Sequence, residues 1–239
     1  YTKIGVPDDK LTIYTSAVES DHKDSNARIR LGIYYQQLRR MDLAFEQYNK
    51  VLEYDPYNPS AHYNLGVAYQ DLNLLGKAIT AYERSIELKP GYEKAHYNLG
   101  IAYIALDEYD KALNELKIAD ELNLGNVDTY CNLGLVYYLK GMIDEAINSL
   151  RKALELDPKN ADAHYYLGVI HASSNKYDKA IEEYKKVIAV DPKYADAHFD
   201  LGTIYYKQEL FNEAIEEYDK TIQIDRGYAD AYYNKSATL

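Results

Sequence analysis

A leucine–glycine pair recurs every 34 residues along this chain, at Leu31-Gly32, Leu65-Gly66, Leu99-Gly100, Leu133-Gly134, Leu167-Gly168 and Leu201-Gly202. Twelve residues after each glycine stands an alanine: Ala44, Ala78, Ala112, Ala146, Ala180 and Ala214. A period held through six copies without insertion means one supersecondary unit repeated, each copy burying its apolar face against the next. The copies fall at 25–58, 59–92, 93–126, 127–160, 161–194 and 195–228.

Spacing inside a copy is helical. In the fifth, Ala163, Leu167, Ile170 and His171 share one stripe, and Tyr177, Ala180, Ile181, Tyr184, Val187 and Ile188 share another at helical offsets. Each copy therefore reads as a helix A followed by a helix B. Asp42, Asp110, Asp144, Asp178 and Asn212 stand where helix B should begin, and are expected to cap its free N–H groups. Pro56, Pro90, Pro158 and Pro192 follow helix B, where a proline prevents continuation. A glycine inside a helix costs roughly 1 kcal/mol relative to alanine. A close contact of each glycine with the alanine of helix B is expected to offset that cost.

The ends hold partial units. Residues 8–21 read as a lone helix B with Leu11, Tyr14, Ala17 and Val18 on its stripe. Residues 229–239 read as most of a helix A or a cap, with Lys235-Ser236 in place of Leu-Gly. Residues 1–239 thus read as one solenoid domain, with 1–24 a partial repeat. The chain begins at Tyr1 rather than Met, and is expected to be a piece of a longer protein whose array continues.

Two segments carry a family resemblance. Ala61-His62-Tyr63-Asn64-Leu65-Gly66-Val67-Ala68-Tyr69 and Ala95-His96-Tyr97-Asn98-Leu99-Gly100-Ile101-Ala102-Tyr103 resemble helix A of tetratricopeptide repeats. Tyr48, Tyr82, Tyr184 and Tyr218 in helix B and the closing prolines extend the match over 25–228. His62, His96, His164 and His198 depart from it, standing where the family usually has tryptophan, as do Leu124 and Arg226 in place of proline. The resemblance implies an all-α fold, a right-handed superhelical α-solenoid of 34-residue helix-turn-helix repeats. It also implies a concave groove lined by helices A that binds a partner peptide or helix.

Composition excludes other classes. A net charge of −11 argues against a nucleic-acid backbone or an anionic membrane as main partner. No apolar run reaches the roughly 18 residues a bilayer span needs. A single cysteine, Cys131, can form no internal disulfide, so no oxidising compartment is marked and a cytoplasmic location is favoured. The four equivalent histidines sit one repeat apart, roughly 8–10 Å between helices, too far to converge on one zinc ion. They read as packing residues, and Cys131 as an inert, partly buried thiol. Glu182-Glu183 and Glu216-Glu217 read as a solvated face of helix B. No metal, cofactor or catalytic activity is expected.

Binding residues come from the groove side of helix A. Tyr63, Tyr97 and Tyr165, with Tyr166 beside the last, offer rigid contact area with a polar tip. Asn64, Asn98 and Asn132 hold one position in three consecutive copies. Their spacing, roughly 8–10 Å, matches about three residues of extended chain. Each amide can pair with a backbone N–H and C=O together. This row resembles the asparagine ladder of the O-GlcNAc transferase superhelix. A clamp for two carboxylates is not expected, because Ile29, Tyr63, Tyr97, Ile33, Val67 and Ile101 hold its positions and only Arg30 and Lys94 resemble its cations. Ile101, Ile104 and Ala105, then Leu135, Tyr138 and Leu139, make the middle of the array apolar. Gln36, Gln37, Gln70, Asp71 and Lys207 make a polar rim. Lys23, Arg28, Arg30, Arg39 and Arg40 near the start, against Asp162, Asp196, Asp200 and Asp230 near the end, suggest an electrical polarity along the groove. The function so read is a scaffold or adaptor holding a protein segment. Self-assembly into homo-oligomers through repeat ends or outer surface, or service as the targeting domain of a larger enzyme, are the alternatives.

Overall fold

The computed structural model describes residues 9–123 and 125–238, so Leu124 and the outermost residues of the partial units lie outside it. Among the described residues there are fourteen helices in two compact units, Tyr1–Leu122 and Asn123–Leu239. The first unit holds α1 (Asp9–Ser20), α2 (Ser25–Gln37), α3 (Met41–Tyr54), α4 (Pro59–Asp71), α5 (Leu75–Leu88), α6 (Glu93–Ile104) and α7 (Tyr109–Leu122). The second holds α8 (Val127–Leu139), α9 (Ile143–Leu156), α10 (Ala161–Ser173), α11 (Tyr177–Val190), α12 (Ala195–Lys207), α13 (Phe211–Ile224) and α14 (Ala229–Thr238). From α2 onward the even-numbered helices are helices A and the odd-numbered ones helices B. The fold is an all-α solenoid of paired helices. Val18 of α1 is buried with Ala27 and Leu31, and Leu11 and Tyr14 pack on them, while Ala17 is exposed.

The glycine meets a different partner from the alanine expected. A Cβ on Gly66 would lie 2.4 Å from the Tyr82 ring, and one on Gly32 2.4 Å from Tyr48. At Gly168 and Gly202 the same place is taken by Tyr184 at 2.5 Å and Tyr218 at 2.9 Å. At Gly100 and Gly134 it is taken by Leu116 at 2.8 Å and Leu150 at 2.6 Å. The partner is thus the residue sixteen positions on. The alanine touches only through its backbone, as with the carbonyl of Ala112 at 3.4 Å from a Cβ on Gly100. A fully buried tyrosine or leucine fills the place where a side chain on helix A would project, and that contact offsets the helical cost of glycine.

Capping also differs from expectation. Side-chain caps stand on four helices A, α2, α4, α8 and α10: Asp24 accepts from the N–H groups of Asn26 and Ala27, and Asn58, Asn126 and Asn160 accept from Ala61, Thr129 and Ala163. The N-caps of α6 and α12, Tyr92 and Tyr194, make no such bond. The N-caps of α3, α9, α11 and α13 are Arg40, Met142, Lys176 and Leu210, with no side-chain cap bond. Asp42, Asp144 and Asp178 lie one residue inside the first turn, where their charge opposes the positive helix end. The reason is the tight A–B turn. Its residue at Arg39, Asn73, Asp107, Asn175 or Glu209 is left-handed, with φ between 56 and 61°. The next N–H then reaches back to helix A, as from Arg40 to the Tyr35 carbonyl at 2.8 Å. Gly141 fills this position in the fourth repeat.

Histidine staples the two helices of a repeat to the preceding loop. His96 faces the Pro90 carbonyl with Nε2 at 2.9 Å and the Glu115 carboxylate with Nδ1 at 2.7 Å. His164 does the same with Pro158 and Glu183, and His198 with Pro192 and Glu217. At His96 a carbonyl and an ionised carboxylate are both satisfied only when both ring nitrogens carry hydrogen. Burial pushes the His96 pKa down, but the bonds to Glu115 and Pro90 outweigh it and hold the ring above the ordinary histidine value. Only Glu182 and Glu216 are therefore the solvated acids read from the sequence. Glu183 and Glu217 turn inward, with side chains 14% and 11% exposed. Arg28 holds the slot in the first repeat, donating to the His22 carbonyl at 2.7 Å and to Gln47 at 2.9 Å.

Candidate binding groove

In the first unit, α2 and α4 wall an open trough of about 580 Å³. Ile33, Gln36 and Gln37 face it from α2, Arg39 from the A–B turn, and Tyr63, Asn64, Val67 and Asp71 from α4. Ile33 and Val67 hold equivalent positions 34 residues apart, as do Gln37 and Asp71, so the wall is one face of helix A used twice. Gln36 is already engaged, donating to Asp71 at 2.6 Å and accepting from Tyr48 at 3.0 Å. Gln37 and Arg39 are exposed. Arg30 is exposed beside it, in a recess of about 180 Å³ shared with Lys10, Tyr14 and Tyr34.

The asparagines are not three equivalent open amides. Asn64 is buried, and its Nδ2 donates to the Ser60 carbonyl of its own helix at 2.7 Å. Asn132 donates to its own Asp128 carbonyl at 2.9 Å. Asn98 donates to the Tyr63 hydroxyl at 3.1 Å. Short polar side chains on a helix find the carbonyl one turn back, a competition that spacing does not reveal.

The tyrosines are half-buried packing residues as much as groove residues. The Tyr63 ring lies 5.1 Å from Tyr92 and 6.0 Å from Tyr82. Burial, then the neighbouring Tyr92, pushes its pKa up. Tyr165 makes the same triad with Tyr194 at 5.1 Å and Tyr184 at 5.9 Å, and Phe199 makes a third with Tyr228 and Tyr218. The signal was present in the sequence, since each triad repeats at offsets of nineteen and twenty-nine. Tyr165 also donates to Asp200 at 3.1 Å, and its ring lies 5.6 Å from that of Tyr166 at a tilt of 59°. Tyr97 is half-buried on α6.

The apolar positions divide likewise. Ile101 and Ile104 are half-buried on α6, with Ala105 exposed. In the second unit Leu135 is half-buried and Leu139 is 40% exposed, whereas Tyr138 and Tyr166 pack on the core of Cys131, Leu150, Leu167 and Ile170. Cys131 is 3% exposed, with a thiol pushed up to about 12 chiefly by burial, then by Asp162.

Two charges expected on the surface are structural. Arg28 is buried in the staple slot. Asp200 accepts from Tyr165 and Tyr184, and burial raises its carboxyl to about 6 against those two bonds. Asp162 and Asp196 accept from Tyr194 and Tyr228. Among the described residues no helix is long and apolar enough to cross a membrane.

Family models for the TPR repeat match residues 40–73, 136–174 and 170–209, and models for the tetratricopeptide repeat match 59–92, 81–114 and 195–228. No curated protein matches the chain. Among solved structures, the Cut9-Hcn1 hetero-tetramer of the APC/C is similar at a TM-score of 0.84 and 21% identity, over 97% of this chain and 46% of that one. The chain therefore spans under half of that relative's length. MamA is similar at 0.62 and 31%, over 70% of this chain and 97% of that one. YrrB, described as a TPR protein with an unusual peptide-binding site, is similar at 0.58 and 26%, over 80% and 99%.

Proposed function

The chain belongs to the tetratricopeptide-repeat family, whose fold generally serves as a non-catalytic scaffold for protein interaction, and we propose that its first unit holds a peptide segment of a partner protein in the α2–α4 trough. One observation carries this reading: apolar Ile33 and Val67 line the same open trough as the polar residues Gln37, Arg39 and Asp71. Apolar area supplies affinity, and the polar groups pair with a peptide backbone. One N–H of each of Asn64, Asn98 and Asn132 is already bound within the protein, and of the three only Asn64 lines this trough. The peptide-binding site of the similar YrrB supports the same class of partner. Ile101 and Ile104, with Leu135, Tyr138, Tyr165 and Tyr166 in the second unit, are secondary contact candidates. Catalysis by this chain forms no part of the reading.

Selection from a displayed peptide library tests it. The wild-type protein should enrich a peptide family that an Ile33→Asp/Val67→Asp double variant of similar melting temperature does not. Equal enrichment by both would remove the trough from the binding site.

A second reading is assembly between copies. It is favoured by α14, where Tyr232 and Tyr233 are 47% and 74% exposed. Light scattering across a concentration series separates the two, since a monomer at all concentrations rules the assembly out.

A further inference from the structure

The His–Glu staple lacks one member in the second repeat. In the fifth, the Glu183 carboxylate receives His164 Nδ1 at 2.6 Å and Lys186 Nζ at 3.0 Å. In the sixth, Glu217 receives His198 at 2.6 Å and Lys220 at 2.9 Å. The equivalent positions in the second repeat are His62, Ala81 and Arg84. Both nitrogen-bearing partners remain, and the acid between them has become a methyl group.

The empty place is open. His62 keeps the common anchor, its Nε2 facing the Pro56 carbonyl at 3.0 Å, so its Nδ1 edge is presented as in the other staples. Beside it lies a cleft of about 370 Å³ between α4 and α5, reached by His62, Tyr69, Lys77, Ala81 and Arg84. Lys77 adds a cation at the rim, 5.5 Å over the Tyr69 ring. Arg84 meets Glu87 at 2.7 Å, but that acid is 64% exposed. An exposed ion pair three residues apart contributes little, so a better-enclosed carboxylate can displace it.

We propose that this cleft docks an acidic side chain of a partner protein, whose carboxylate enters between His62 and Arg84 in the place that Glu183 and Glu217 fill in their own repeats. The apolar floor of Ala81 and the Tyr69 ring suits the methylenes of a glutamate or aspartate and would face a free inorganic anion poorly. The bound carboxylate faces His62 Nδ1 as the Glu115 carboxylate faces His96 Nδ1. The site is separate from the trough, because His62 and Asn64 are two residues apart on α4 and so point about 200° apart.

The test is nuclear magnetic resonance of the full chain with ¹⁵N-labelled histidine, the His62 ring being assigned from its loss in His62→Gln. The probe is N-acetylglutamate methylamide, with the glutamine analogue and inorganic phosphate as controls. The glutamate probe should shift the His62 ring nitrogens saturably, with a midpoint on the order of 10 mM. The glutamine analogue should bind at least tenfold more weakly, and Arg84→Gln should weaken the glutamate probe at least fivefold. Ala81→Glu should abolish the response and move the His62 signals toward those of His164 and His198. A His62 ring indifferent to the glutamate probe, an equal response to phosphate, or binding that survives Arg84→Gln undiminished would overturn the assignment. Each of those results leaves the trough reading untouched.

Discussion

The Tyr165 hydroxyl donates to the Asp200 carboxylate at 3.1 Å, and Tyr184 donates to the same oxygen at 3.4 Å. Burial nevertheless dominates, and the carboxyl is held at about 6, well above its ordinary value. The folded chain thus binds a proton that the unfolded chain releases. The stability this contributes is fully present below the ordinary carboxylate value and is lost as pH rises through about 6. Asp200→Asn, the residue found at the equivalent Asn64, Asn98 and Asn132, should flatten the stability profile between pH 4 and pH 6. It should add roughly 1 kcal/mol at pH 7, after allowance for partial solvation. Urea titrations across that range check this, and an unchanged profile would count against it.

His96 points the same way at higher pH. Its folded pKa is raised, so its contribution is present below the ordinary histidine value and is lost as pH rises through the raised one. The melting temperature should therefore fall from pH 6 to pH 9. Glu115→Gln should lower stability by about 1–2 kcal/mol at pH 6 and reduce that fall. A slope the variant leaves intact would mean that other groups carry it.

Two glycines on the same helix hairpin should respond oppositely to alanine. A Cβ at Gly66 meets the Tyr82 ring at 2.4 Å, and that ring is fully buried, so Gly66→Ala should cost roughly 1–3 kcal/mol. Gly76 has nothing within 4 Å of its added Cβ, so Gly76→Ala should gain up to about 1 kcal/mol from helix propensity. Thermal melts of the two variants decide it. Equal effects of one sign would show that packing against Tyr82 is not what the glycine provides.

The left-handed turn offers a stabilising change. Glu209 stands at φ 61°, where Gly141 stands in the fourth repeat. Glu209→Gly should relieve about 1 kcal/mol of backbone strain and raise the melting temperature. No gain would place the helix-terminating bonds, rather than the residue, in control of the turn.

Sequence periodicity alone determined the repeat, its length, the two helices of each copy and the burial of Leu65, Gly66 and Ala78, because recurrence at helical spacing places residues on one stripe whatever lies opposite. It could not decide between neighbours on a helix. Glu182 is solvated and Glu183 enters a staple, and Arg30 is exposed while Arg28 is buried. One residue is about 100° of helix rotation, so each outcome depends on the direction in which helix B crosses helix A. That crossing is set by the ring of Tyr82 or Tyr184 lying on the glycine sixteen residues earlier. Such a contact between two helices exists only once they have packed. The same holds for the trough and the His62 cleft. Their residues are common in the sequence, and only the tertiary structure leaves Gln37 and Arg39 exposed on the trough while it buries Asn64 against the Ser60 carbonyl.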